Sequence, residues 1–220
     1  MMKRPSRWAA GMLGLTTLLA APLSSADPSG IELGEHIPYT VVEGYQHCAS
    51  ELPFRVRSQH AAAGKEFVEE YFATHPKAEL LSAWIATEST YNPLAVSGVG
   101  ASGFGQLMPR TARNLGLRTA SVEELSCLTG LDESSSYASL LRGLRDAVRT
   151  GDVPYEVAAF VHEPFDGNKN LEASYRYLEE VGFGRVSDRL AFMRYHAGPS
   201  LTRAGPRTRS YPDKIFEHLQ

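Results

Sequence analysis

The sequence has little of what nucleic-acid and membrane proteins need. Its 220 residues hold 22 Lys and Arg against 25 Asp and Glu, a formal net charge of −3, and the basic residues are scattered. Because affinity for nucleic acid depends on a basic face, this balance argues against a nucleic-acid partner. No apolar run after residue 26 is long enough to cross a bilayer, so we expect no stable membrane span in the mature chain.

Cysteine is also scarce, and the histidines are dispersed. The chain has two cysteines, Cys48 and Cys127, and 7 histidines, none of which are paired at the i, i+4 spacing of a helical metal site. We therefore expect no metal and no other cofactor. In an oxidising compartment an isolated pair of cysteines favours a disulfide, and two buried free thiols are the alternative.

The N-terminus has the pattern of a secretory signal peptide. Three basic residues precede an uncharged apolar stretch, and Ser24 and Ala26 are small residues at the −3 and −1 positions of a cleavage site. The stretch has about 16 residues, fewer than the roughly 20 that span a bilayer, which disfavours a membrane anchor. We expect cleavage after Ala26 and a soluble mature protein that is periplasmic or secreted.

Periodicity and capping signals predict an all-α fold. Apolar residues recur at helical spacing from Lys65 onward, Ser121 and Glu124 have the pattern of a capping box, and no segment alternates convincingly as a strand. Later helices are predicted at about 136–149, 153–162, 169–181, 187–196 and 208–218. The predicted organisation is a signal peptide (1–26), an N-terminal lead-in (27–63) and one helical domain (64–220).

One carboxylate stands apart at the end of the second predicted helix. No Asp or Glu occurs between Ser89 and Val122, so Glu88 has mainly apolar sequence neighbours, among them Trp84 and Phe104. Apolar surroundings raise the pKa of a Glu carboxyl, as a general acid near neutral pH requires. A solvated Glu at a helix end is the alternative.

The stretch from Leu80 to Leu117 resembles the soluble lytic transglycosylase (SLT) family, which cleaves peptidoglycan and has a lysozyme-like fold. The matching residues are Glu88-Ser89, Asn92-Pro93, Ser97, Gly100-Ala101, Gly103, Gln106, Met108-Pro109 and Thr111-Ala112. Later matches are Asn170, Tyr177 and Leu178 in a helix motif, Tyr195 to Pro199 in a Y-N-A-G-P motif, and Thr208 to Tyr211 in a closing T-R-x-Y motif. The resemblance covers about residues 64–217 and implies a lysozyme-like, all-α domain.

The chain departs from the family pattern at three positions and in one segment. Gly105 replaces a Met of the G-L-M-Q loop, Ser174 replaces a helix Gly, and His196 replaces the Asn of Y-N-A-G-P. Residues 118–163 are an insertion where the family usually has a short link. It could form a flap over the cleft or a helical subdomain, and amphipathic insertions usually bury their apolar face, which favours the subdomain.

The resemblance implies a role for individual residues. Glu88 would protonate the glycosidic oxygen between N-acetylmuramic acid (MurNAc) and N-acetylglucosamine (GlcNAc), and would then accept the proton of the muramoyl C6 hydroxyl. Tyr195 would polarise Glu88 or the developing charge, with a core tyrosine as the alternative. The remaining candidates are Ser97, Gln106, Met108 and His196 for substrate, with capping equally possible for Ser97, and Ser89, Asn92 and Asn170 for structure.

The implied partner is the glycan strand of peptidoglycan, and the implied activity is non-hydrolytic cleavage that leaves a 1,6-anhydro-MurNAc end. Two other functions stay open. A lysozyme-like muramidase would hydrolyse the same bond with water and would need a second acid near the cleft, for which Asp166 is the candidate. A non-catalytic wall-binding or secretion-machinery protein on the same fold is the third possibility.

Overall fold

Helices account for about half of the residues that the structure describes. The computed structural model describes residues 39–42, 44–53, 55–57, 64–201 and 204–220, all within one compact unit, and the predicted signal peptide lies outside them. The helices are α1 (Lys65–Phe72), α2 (Ala78–Ser89), α3 (Pro109–Asn114), α4 (Val122–Thr129), α5 (Tyr137–Thr150), α6 (Tyr155–Val161), α7 (Gly167–Glu180), α8 (Asp188–Ala197) and α9 (Pro206–Glu217). The all-α prediction is confirmed.

A short antiparallel pair of strands is the one departure from that prediction. β1 (Tyr39–Val41) pairs with β2 (Arg55–Arg57), with Tyr39 opposite Arg57. Each strand has three residues, too few for an alternating pattern to stand out in the sequence. Both strands belong to the lead-in, so they leave the helical domain unchanged.

Helix α2 runs through the main core. Leu81, Trp84 and Ile85 have no solvent exposure, and the helix is buried around most of its circumference. A helix that is apolar on all sides is stable only when other elements surround it. α1 and α9 pack against α2, and side chains of α3, α7 and α8 complete the core. This burial fixes the position of the last turn of α2, which carries Glu88.

A second apolar cluster joins the lead-in to the inserted segment. Val42, Ala49 and Leu52 of the lead-in are buried with leucines and valines of α4, α5 and α6. The predicted insertion, residues 118–163, therefore buries its apolar faces together with the lead-in, in a cluster separate from the core around α2. Cys48 and Cys127 form a disulfide with an S–S distance of 1.99 Å, which joins the lead-in to α4 across this cluster.

No helix in the described part of the chain combines the length and the hydropathy that a bilayer-spanning segment requires.

Candidate active site

Glu88 occupies the last turn of α2. The helix ends because Thr90 adopts a left-handed conformation with φ 52°, and Tyr91 follows with φ 59°. Trp84 lies one helical turn before Glu88, on the same side of the helix, and is fully buried. The carboxyl group of Glu88 therefore lies next to the Trp84 ring, and Glu88 is only partly exposed.

Tyr211 of α9 is the direct partner of Glu88. Its hydroxyl donates a hydrogen bond to Oε1 of Glu88 across 123 positions of sequence. The Trp84 indole N–H also faces this pair and favours the charged form of the carboxyl, although it has no hydrogen-bond partner of good geometry among the described residues. Tyr211 belongs to the T-R-x-Y motif noted in the sequence, but nothing in the motif assigns it this contact.

Burial raises the pKa of the Glu88 carboxyl to about 7, because the low-dielectric surroundings disfavour its charged form. The hydrogen bond from Tyr211 and the proximity of the Trp84 N–H oppose this rise, since both stabilise the carboxylate. No neighbouring carboxylate contributes to the shift. The group can therefore hold a proton near neutral pH and can also release it, as an acid–base catalyst must.

Tyr195 of α8 lies beside this pair but does not bond Glu88. Its hydroxyl donates to the Gly105 carbonyl at 2.7 Å, and its ring packs edge-on against Trp84 with centroids 4.9 Å apart. Burial raises the pKa of the Tyr195 hydroxyl well above its usual value, and the charge of Glu88 raises it further. The contact that the resemblance implied for Tyr195 is thus made by Tyr211. Tyr195 instead anchors residues 97–106, hereafter the glycine-rich loop.

Asn170 holds the glycine-rich loop from the side of α7. Its Oδ1 accepts from the Gly105 amide at 2.8 Å, and its Nδ2 donates to the carbonyls of Ser102 and Pro164. Gly103 packs so closely here that a Cβ atom would lie 2.0 Å from the Pro164 carbonyl oxygen, and its φ of +80° also favours glycine. Asn170 is fully buried, and these hydrogen bonds fix the position of the loop.

A second buried link holds the same loop from the inserted segment. The Ser102 hydroxyl lies 2.8 Å from Nε2 of His162, and both side chains are fully buried. Burial lowers the pKa of His162 to about 3, with the Arg118 charge as a smaller cause, so the imidazole is neutral at any physiological pH. Neither residue was singled out from the sequence, because an isolated serine and histidine 60 positions apart carry no local signal.

The other candidates of the loop bond mainly to its own backbone. Ser97 Oγ accepts from the Ala101 amide at 2.9 Å, and Gln106 Nε2 donates to the carbonyls of Ala95 and Gly103. Ser89 Oγ donates to the Ile85 carbonyl, and Asn92 Oδ1 accepts from the Leu94 amide, as helix-end and turn residues do. Met108 is 42% exposed, which leaves its side chain available to a ligand.

His196 covers the outer side of Tyr211. The two rings have centroids 4.6 Å apart, and His196 Nδ1 lies 3.2 Å from Thr208 Oγ1. The residue is exposed. Burial of part of the ring and the Lys214 charge both lower its pKa. The structure therefore brings Glu88, Tyr211 and His196 together at one surface.

A group of side chains of the types that bind metals lies at the disulfide. Within the described residues, one such group consists of His47, Cys48 and Cys127, but both of its sulfurs are joined in the disulfide. None of these residues contacts the Glu88 site, and the oxidised sulfurs are not available as thiolate ligands.

Comparison with known proteins finds similarity over part of the chain. Residues 70–136 match the family model described as "Transglycosylase SLT domain". A relative named "Transglycosylase", from Enterobacteria phage PRD1, is 29% identical over 140 residues, which is 64% of this chain and 36% of the relative. The chain thus corresponds to about a third of that protein's length. No solved structure matches the chain significantly.

Both comparisons support an SLT-type domain in this chain, and the family match itself is confined to residues 70–136. The matched range includes Glu88 and the whole glycine-rich loop. Tyr195 and Tyr211 lie beyond the range that the family model matches.

Proposed function

We propose that this protein is a peptidoglycan lytic transglycosylase. It cleaves the β-1,4 bond between MurNAc and GlcNAc without water and leaves a 1,6-anhydro-MurNAc end. The observation that carries the proposal is the isolated Glu88 carboxyl, buried among aromatic side chains with its pKa raised to about 7. The SLT-family domain supports peptidoglycan as the substrate class and glycan cleavage as the kind of reaction.

In the first step the protonated Glu88 carboxyl donates its proton to the glycosidic oxygen. The bond from that oxygen to C1 of MurNAc breaks, and the GlcNAc unit leaves as an alcohol. The carboxylate that remains is stabilised by the Tyr211 hydroxyl, which already donates to it. General acid catalysis of this kind contributes about 10²- to 10⁴-fold to the rate.

In the second step the C6 hydroxyl of the same MurNAc attacks C1 and closes the anhydro ring. The Glu88 carboxylate accepts the hydroxyl proton, which restores the starting acid, so no water is consumed. A nucleophile within the same sugar has a high effective concentration and can therefore compete with water. One carboxyl group suffices for both steps, consistent with the absence of Asp and Glu between Ser89 and Val122.

The surroundings of Asp166 do not support hydrolysis with a second carboxylate. Asp166 is buried at the N-terminus of α7, where it accepts a hydrogen bond from the Lys169 amide. A carboxylate in this role caps the helix and is not exposed to activate a water molecule. A non-catalytic role is disfavoured by the environment of Glu88, because a binding protein gains nothing from a carboxyl whose pKa is raised to about 7.

The products of digested peptidoglycan test the reaction type. Muropeptides released by the purified protein should end in 1,6-anhydro-MurNAc, be lighter by one water than hydrolysis products, and carry no new reducing ends in mass spectra. Reducing-end MurNAc as the main product would overturn the transglycosylase proposal in favour of a muramidase. Absence of both products would favour the non-catalytic alternative.

We also propose that the protein works outside the cytoplasm, as a periplasmic or secreted enzyme. The Cys48–Cys127 disulfide supports this, because such bonds persist in oxidising compartments. N-terminal sequencing of the protein recovered from cell fractions tests it. A mature protein that begins at residue 27 and is found outside the cytoplasm is expected, and an uncleaved cytoplasmic protein would contradict the proposal.

A further inference from the structure

A row of positive charge borders the Glu88 site along α9. Arg207, Tyr211 and Lys214 are at positions i, i+4 and i+7 of this helix, which places them along one edge. Tyr211 is the residue that bonds Glu88, and His196 packs on its ring. Arg207 and Lys214 are exposed, so the edge presents their charges on both sides of the tyrosine.

These charges differ from those of nearby basic residues because the described chain does not neutralise them. Arg189 pairs with Asp213 at 2.5 Å, and Lys77 pairs with Asp188 at 2.6 Å. Neither Arg207 nor Lys214 takes part in the ion pairs found among the described residues. Burial lowers the pKa of His196, and the Lys214 charge lowers it further, so Lys214 is close enough to act on the residue that packs on Tyr211.

We propose that Arg207 and Lys214 form a rim that binds the carboxylates of the peptide stem on the MurNAc unit, so that the enzyme prefers glycan carrying peptides over bare glycan. Hereafter these two residues are called the basic rim. The inference rests on the proposed function, since it requires MurNAc beside Glu88. The peptide stem is attached to the same MurNAc unit whose C1 reacts. Its free carboxylates can therefore form the ion pairs that Arg207 and Lys214 do not form within the described chain.

Charge at the border of a site acts mainly through substrate capture and is weakened by salt. The basic rim should therefore affect kcat/KM more than kcat. It should also matter only for a substrate that bears carboxylates. A purely structural role for Arg207 or Lys214 would instead reduce activity on every substrate, because the catalytic groups themselves would be displaced.

The test compares two soluble substrates: uncrosslinked glycan strands with their peptide stems, and the same strands after an amidase has removed the stems. Arg207→Glu and Lys214→Glu each reverse one charge of the basic rim. Arg209→Glu is the matched control, because Arg209 is exposed on the far side of the same helix. Cleavage of the bare strands shows that each variant is folded and that its catalytic groups are in place.

We expect each basic-rim variant to lose about tenfold in kcat/KM on stem-bearing strands and to stay within about twofold of wild type on bare strands. Arg209→Glu should match wild type on both substrates, and added salt should reduce the wild-type preference. An equal loss of kcat/KM on both substrates, or no loss relative to Arg209→Glu, would contradict stem binding by the basic rim. Neither result would contradict the proposed function. Wild-type protein that cleaves neither substrate would overturn both.

Discussion

Ser174 fills the space that a side chain at Gly105 would need. A Cβ atom added to Gly105 would lie 2.1 Å from Ser174 Oγ and 2.5 Å from Ser174 Cβ. These are two of the positions at which the chain departs from the SLT pattern, which has a Met in the loop and a Gly in the helix. The two departures are therefore in contact. Here the smaller residue, Gly105, is in the loop and the larger residue, Ser174, is in α7.

Gly105→Ala should destabilise the fold by about 1–3 kcal/mol, because the new methyl group overpacks this contact. Ser174→Gly in the same chain should recover part of the loss, although the Tyr195 hydroxyl would still lie 2.9 Å from the added atom. A double-mutant cycle by urea denaturation measures the coupling. Gly98→Ala is the control, since nothing lies within 4 Å of its added Cβ. If the effects of the two substitutions on the free energy of unfolding are additive, the two positions are not coupled and the prediction is wrong.

Glu88→Gln should reduce turnover of peptidoglycan by at least about 100-fold, because the amide cannot donate and accept the proton. Binding to sacculi and the thermal unfolding transition should change little. The measurement is the rate at which anhydro-muropeptides are released. Glu79→Gln, an exposed substitution in the first turn of the same helix, should retain full activity. Residual activity above a tenth of wild type would exclude Glu88 as the acid–base residue.

The rate should fall as pH rises through about 7, because the acid must be protonated and burial holds the Glu88 pKa near that value. Tyr211→Phe removes a hydrogen bond that lowers this pKa. The alkaline limb of the profile should consequently move to higher pH by about one unit, while kcat decreases. Tyr195→Phe is the matched control, because its hydroxyl bonds Gly105 and not Glu88. A limb that stays in place in Tyr211→Phe would mean that another group titrates.

Replacing Cys48 and Cys127 by Ala should lower the free energy of unfolding by about 4 kcal/mol on the chain-entropy account of a bond that closes a loop this long. The cysteines are separated by 79 positions, so the unfolded chain gains much freedom when the bond is lost. The catalytic rate of the protein that remains folded should be unchanged, since Trp84 and Tyr211, which surround Glu88, belong to the other core. Equal stability of the oxidised and reduced protein in urea would contradict this.

Local signals in the sequence predicted the helices well. Pro109 occupies the first turn of α3 and Ser121 forms the capping box with Glu124, as their positions in the sequence indicate. Helices predicted from periodicity agree with the observed ones to within about two residues at most ends. These features depend on residues three or four positions apart, which is the range over which sequence patterns can be interpreted directly.

The site itself was predictable only in part. Glu88 stood out because the surrounding sequence lacks other carboxylates, and the SLT resemblance assigned it a role. The Tyr211 contact was not predictable, since it depends on how α9 packs against α2 and not on any local pattern. The same holds for Ser102 and His162, which approach each other only when the inserted segment folds against the loop.

The disulfide between Cys48 and Cys127 closes a covalent ring of chain that contains Glu88, all of α2 and the whole glycine-rich loop. A protease that cuts once within this ring opens it but releases no fragment, because each new end stays attached through the sulfur bridge. The catalytic acid and its loop would thus stay covalently linked after such a nick, and separating them would require a second cut within the ring or a reductant.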